Sequence, residues 1–212
     1  MTQSPVYSKQ TVEFVTVAAE YCAFIEQSDQ MDRFSFVDKC IKLLPLLYLK
    51  VQLLPNANSD IEGFPQKIVT EEMYEYIRQK IASILGPKDD YLEVFIDDMQ
   101  YSDSALKSNI SEDLSDIYQD VKDFVYQFSQ AYEPTMVDAL VSLKESFEQY
   151  WGQKLVNCLR PLNQIRYSQE NEDELEENEN IDSVENKFSN RIFNSQKDNF
   201  NDNNELDDWN AD

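Results

Sequence analysis

Apolar residues recur along most of this chain at three- and four-residue steps, grouped into separate runs. The most regular run is Ser111 to Phe128, where Leu114, Ile117, Val121, Phe124, Val125 and Phe128 share one side of a helix. Beside it lies a second stripe, Asp113, Asp116, Asp120 and Asp123, at steps of three, four and three. At roughly 100° per residue these carboxylates fall within about 80° of one another. One side of the segment suits the centre of a bundle, and its flank concentrates negative charge.

The same period predicts further helices. The first runs from about Lys9 to Gln27, capped by Ser8, with Phe14, Val15, Ala18, Tyr21, Cys22 and Ile25 on its wide face. SDQMD interrupts it, and Asp29 or Asp32 can cap a second helix that buries Phe34, Val37, Ile41, Leu44, Leu47, Tyr48 and Val51. Pro45 lies inside that helix and cannot donate to the Ile41 carbonyl. At a cost of roughly 3 kcal/mol it predicts a kink, or two short helices meeting. PNANSDIEGFPQKIV then has the turn residues of a loop.

Thr70 caps a third helix, with Glu71 and Glu72 in its first turn and Gly86-Pro87 as its stop. A short fourth helix is expected over DDYLEVFIDDMQY, burying Leu92, Phe95, Ile96 and Met99. After the acid-striped helix, Glu133-Pro134 opens a long last one carrying Leu140, Phe147, Trp151, Leu155, Cys158 and Leu162. Gly152 beside Trp151 suggests the close approach of another backbone, and Pro161 is expected to fray the end. No stretch alternates with period two for long enough to make a convincing strand. Residues 1–167 therefore predict an all-α bundle of five to seven helices.

From Ser168 the pattern stops. The last 45 residues hold 15 acids and 3 bases and few apolar side chains. Such a segment buries too little surface to offset its ordering entropy, so residues 168–212 are expected to form a disordered acidic tail. At its end Leu206 and Trp209 stand three apart among Glu205, Asp207, Asp208 and Asp212, a candidate anchor for a basic groove.

Charge and rare residues narrow the function classes. The formal net charge is −23 and both parts of the chain are acidic, so direct contact with nucleic acid or an anionic membrane is not expected. A basic protein partner fits better; the oligomeric state stays open. The chain has no histidine, which removes the commonest general base and zinc ligand. Cys22, Cys40 and Cys158 are far apart among apolar residues and read as buried, reduced thiols. Three scattered glycines make no phosphate loop. MTQSPVYSKQ lacks the pattern of a signal peptide, and Ile41 to Leu54 is too broken to span a bilayer, so a cytoplasmic location is expected.

The acidic stripe is the chemistry to weigh. Carboxylates one helical turn apart can share magnesium or manganese, the alternative being a metal-dependent hydrolase of nucleotide or phosphorylated substrates. Against this, only Lys122 on the same helix could meet a phosphate. A solvated acidic face is the plainer reading, and a third is pairing with bases elsewhere, such as Lys39, Lys42, Arg78 or Lys154. Tyr150 and Trp151 read as packing, and no cofactor is expected on the plainer reading.

VEFVTVAAEYCAFIEQ, FVDKCIKLLPLLYLK, GPKDDYLEVFIDDMQYSD, ISEDLSDIYQDVKDFV and FEQYWGQKLVNCLR, in this order, resemble a bacterial family common in Bacteroidetes, domain of unknown function 5063. The resemblance covers about Thr11 to Tyr167. It implies a soluble, helical cytoplasmic protein and supplies no catalytic or binding residues. The reading that follows is a non-enzymatic interaction or adaptor module.

Overall fold

The computed structural model describes residues 4–58, 67–93 and 106–168. The chain divides into two units, Met1–Arg166 and Tyr167–Asp212, and of the second only Tyr167 and Ser168 are described. The expected acidic tail and its Leu206 and Trp209 lie outside the described residues.

Among its described residues the first unit is helical apart from one short ribbon. Its helices are α1 (Lys9–Glu26), α2 (Arg33–Gln52), α3 (Glu71–Leu85), α4 (Ile110–Ser129), α5 (Glu133–Ser146) and α6 (Gly152–Arg166). Strands β1 (Asp90–Leu92) and β2 (Lys107–Asn109) pair antiparallel, with Tyr91 opposite Ser108. A π-helical turn, Phe147–Trp151, joins α5 to α6 in one continuous rod.

Three caps form where the side chains allow them. Ser8 Oγ accepts from Thr11 N at 3.1 Å, Asp32 Oδ1 from Ser35 N at 2.9 Å and Thr70 Oγ1 from Met73 N at 3.2 Å. α3 stops at Gly86, whose φ of 56° needs glycine. α4 is capped from outside. The Asp89 carboxylate accepts from Ser111 N and Ser111 Oγ, both at 2.7 Å, and places an anion at the positive end of the helix.

α4 is the central element and packs against α1, α3, α5 and α6, while α2 lies across α1 and α6. Ile110, Leu114, Ile117 and Val121 are fully buried. So are Phe14 and Tyr21 of α1 and Trp151 of the π turn. Tyr21 donates its hydroxyl to the Leu114 carbonyl at 2.8 Å, and Phe14 and Phe124 place their ring centres 5.4 Å apart. Each fully buried large side chain stabilises the fold by ~1.5–3 kcal/mol relative to exposure, so the centre of the bundle is where α4 holds its neighbours.

Four local expectations are corrected. Of the two outcomes expected at Pro45, the pair of short helices does not form: α2 stays one helix, with Leu44, Leu47 and Val51 buried on both sides of the proline. Their burial outweighs the ~3 kcal/mol that the missing bond costs. α6 likewise continues past Pro161, with Leu162 and Ile165 buried beyond it. The expected fourth helix is not seen at its start: Asp90–Leu92 is a strand, and Leu92, expected inside, is 62% exposed. A three-residue strand is too short to declare its period, and Phe95, Ile96 and Met99 lie outside the described residues.

Gly152 is the fourth. It is tight against its own helix rather than another backbone. A Cβ there would stand 2.5 Å from the Phe147 carbonyl oxygen, which the π turn brings round to accept from Gly152 N.

Candidate functional site

Because α4 is surrounded, the flank that carries its carboxylates is internal. Asp113 is 5% exposed and Asp123 6%, and Asp116 and Asp120 are half-buried. The plainer expectation of a solvated acidic face is therefore corrected. Geometry requires each carboxylate to find donors, since an unpaired buried charge costs several kcal/mol.

The donors come from different neighbours. Asp113 Oδ2 accepts from the Tyr91 hydroxyl at 2.5 Å and its Oδ1 faces Lys154 Nζ at 3.3 Å, which ties β1 and α6 to α4. Asp116 accepts from the hydroxyls of Tyr74 and Tyr150, each at 2.9 Å, and pairs with Lys154 Nζ at 2.7 Å. It thus clamps α3 to the π turn and α6. Asp120 accepts from the Ser146 hydroxyl at the end of α5. Asp123 Oδ1 accepts from Ile68 N at 2.8 Å and Val69 N at 3.0 Å, fixing the strand-like approach to α3.

Of the bases proposed from sequence, Lys154 meets the stripe. Arg78 pairs with Glu75 on its own helix, and Lys39 and Lys42 point toward Glu20 and Asp38. Tyr150, expected as core packing, is about half-exposed and closes over Asp116, whereas Trp151 is fully buried as expected.

Burial shapes the electrostatics of this seam. It pushes the Asp113 carboxyl up from its ordinary 3.8 to about 6, against the opposing pull of the Tyr91 hydroxyl and the Lys154 ammonium. It also raises Asp120. Tyr150 is pushed up to about 12 by burial and by the Asp116 carboxylate that it serves. Burial pulls the Lys154 ammonium down, but Asp116 and Asp113 outweigh it and hold Lys154 above its ordinary value.

A divalent cation between Asp113 and Asp116 would have to displace that ammonium. Among the described residues no group of three or more His, Cys, Asp or Glu is arranged to hold a metal. Apart from Asp123 Oδ2, which is buried without a hydrogen-bond partner, the seam joins elements of the fold through oxygen and nitrogen atoms already engaged. The three thiols are buried and unpaired, and burial pushes Cys22 up to about 12.

The opposite case is the outer side of α2. Leu46, Leu49 and Leu53 recur there at steps of three and four and are 40%, 53% and 51% exposed. Lys39 and Lys42 continue the same strip toward the N-terminus of the helix, and Asp38, the one carboxylate of α2, is half-buried beside it. Leu44, Leu47 and Val51 mark the buried side that the spacing predicts. The signal in the sequence for the other side is a second apolar stripe about half a turn away from the first, where a helix packed on one side should be polar.

Ion pairs around this strip carry an excess of bases. Glu13 serves both Lys9 and Lys50, Asp38 serves both Lys42 and Arg166, and Glu20 faces Lys39 at 4.0 Å. Five bases thus meet three carboxylates among these described pairs. On a chain of 41 acids and 18 bases, the strip thus sets Lys39 and Lys42 beside exposed leucines.

The family model described as a domain of unknown function (DUF5063) matches residues 5–168. The chain belongs to this family. Its match spans the bundle, including the α4 seam and the outer strip of α2. A DUF5063 chain of this kind is also similar to the crystal structure of protein BF1032 from Bacteroides fragilis. The two are 47% identical with a TM-score of 0.69, over 78% of this chain and 97% of that one. No protein of curated function matches. The DUF5063 description names no activity, so membership carries the fold and not a reaction. No helix among the described residues is long and apolar enough to cross a membrane.

Proposed function

We propose that this protein is a non-enzymatic interaction module that receives a helix of a partner protein on the outer strip of α2. The observation that carries the reading is the run Leu46, Leu49 and Leu53, half-exposed along one line of a helix whose other side is already packed. Single exposed leucines are ordinary, but three in register at helical spacing give a partner helix matching positions. Lys39 to Leu53 covers about 21 Å at 1.5 Å per residue, enough for four turns of a partner.

The α4 seam supports the same reading from the other side. Asp113 and Asp116 are engaged by Tyr91, Tyr74, Tyr150 and Lys154 and act as joints between helices. The test compares tagged full-length wild type with Leu49→Ser and with Asp116→Asn in the native cell. A partner cross-linked to wild type and to Asp116→Asn, and lost from a normally folded Leu49→Ser, is the expected result. Hydrolysis of a nucleotide with magnesium or manganese that disappears in Asp116→Asn overturns the reading.

A further inference from the structure

Resting on that reading, we propose that the helix received by the strip is an acidic amphipathic one: apolar residues at i, i+3, i+4 and i+7, flanked by glutamate or aspartate. Charge complementarity supports this, on a surface that otherwise has the wrong sign for it. Leu46, Leu49 and Leu53 supply the apolar line. Lys39 and Lys42 lie on the same line one and two turns before Leu46, with half or more of each side chain exposed.

Lys39 is loosely held: Glu20 faces it at 4.0 Å with both side chains largely in water, and its ammonium stands 5.3 Å from the centre of the Phe24 ring. Lys42 is held by Asp38 Oδ2, while Asp38 Oδ1 accepts from Arg166. An exposed pair such as Lys39–Glu20 contributes little, so that ammonium can turn to a carboxylate on an incoming helix, and Lys42 can keep Asp38 and offer its other N–H groups. The fully exposed residues of α2 include no carboxylate that would repel it.

The acidic remainder of the molecule acts at longer range and is screened beyond about 8 Å at physiological ionic strength. It selects against acidic chains that do not reach the lysines. A second copy of this chain is a poorer occupant. Pairing two strips would bring lysines rather than carboxylates to Lys39 and Lys42, between bodies of net charge −23 each.

The probes are two labelled helical peptides of four turns with one leucine stripe, one flanked by glutamates and the other by lysines. Fluorescence anisotropy at physiological salt reads their binding to the full chain. The glutamate peptide is expected to bind, to lose at least tenfold in affinity with Lys39→Glu/Lys42→Glu, and to lose binding with Leu49→Ser. Binding of the lysine peptide to the acidic surface should be indifferent to Leu49→Ser.

Failure of the glutamate peptide to bind, or loss of the lysine peptide with Leu49→Ser, overturns the charge assignment. A dimer in sedimentation that Leu49→Ser dissolves overturns it as well, making the strip a self-interface. If the cellular partner is still lost with Leu49→Ser, the interaction reading survives such a failure. If neither cellular partner nor peptide depends on Leu49, both readings fall.

Discussion

The Asp113→Asn substitution tests the account of the α4 seam most directly. Asp113 is buried, and its carboxyl is raised from 3.8 to about 6 in the folded protein. A carboxyl raised on folding holds its proton more tightly in the native state. Between pH 3.8 and pH 6 the folded chain therefore binds a proton that the unfolded chain has released. Stability falls as pH rises through that window, and the full cost of the buried charge is present above pH 6. At 1.36 kcal/mol per pH unit the cost reaches ~3 kcal/mol at neutral pH.

Asparagine keeps the shape and an acceptor for the Tyr91 hydroxyl, removes the charge, and leaves Lys154 paired with Asp116. Its amide hydrogens suit Lys154 less well, which offsets part of the gain. The variant is expected to be ~2 kcal/mol more stable than wild type at pH 7. That advantage should shrink by about the same amount on going to pH 4.5. Urea unfolding at a series of pH values measures it, and the difference between the two proteins cancels the titration of every distant carboxylate. Parallel pH profiles, or a variant less stable than wild type at pH 7, would refute the claim that the charge of Asp113 is carried at a cost.

Other substitutions probe the neighbouring joints. Lys154→Ala strips the cation from both Asp113 and Asp116 and should lower stability by about 3 kcal/mol in urea unfolding, as for other buried pairs broken on one side. Gly152→Ala, which in an ordinary helix would help, should cost ~2 kcal/mol, because its Cβ meets the Phe147 carbonyl at 2.5 Å; an unchanged melting temperature would argue against the π turn. Ala131→Gly should stabilise by ~1 kcal/mol, since Ala131 holds a φ of 55° after α4 that glycine adopts without strain. Ile117→Asp should abolish the cooperative thermal transition, since Ile117 is fully buried at the centre of the bundle.

Much of the bundle was legible from local chemistry alone. The starts of α1, α2 and α3 follow from Ser8, Asp32 and Thr70, whose oxygen atoms can reach a backbone N–H two or three residues on. The end of α3 follows from Gly86, and the inward face of α4 from the spacing of Leu114, Ile117 and Val121. These are short-range effects, carried by the residues themselves. The passage of α2 and α6 through Pro45 and Pro161 is not of that kind. A proline penalty is local, but the burial that outweighs it belongs to packing between α2 and α6.

The functional reading divided along the same line. The spacing of Asp113, Asp116, Asp120 and Asp123 put four carboxylates on one flank, but periodicity cannot say whether a flank meets water or another helix. That depended on α4 having neighbours nearly all round, which brought Tyr74, Tyr91, Ser146 and Lys154 to it from four other elements. For α2 the converse holds. Leu44, Leu47 and Val51 and Leu46, Leu49 and Leu53 are two similar apolar stripes, and the sequence alone treats them alike. Only the placement of α1 and α6 against one side left the other half-exposed, because a helix at the edge of a bundle can be covered on one face and not on both.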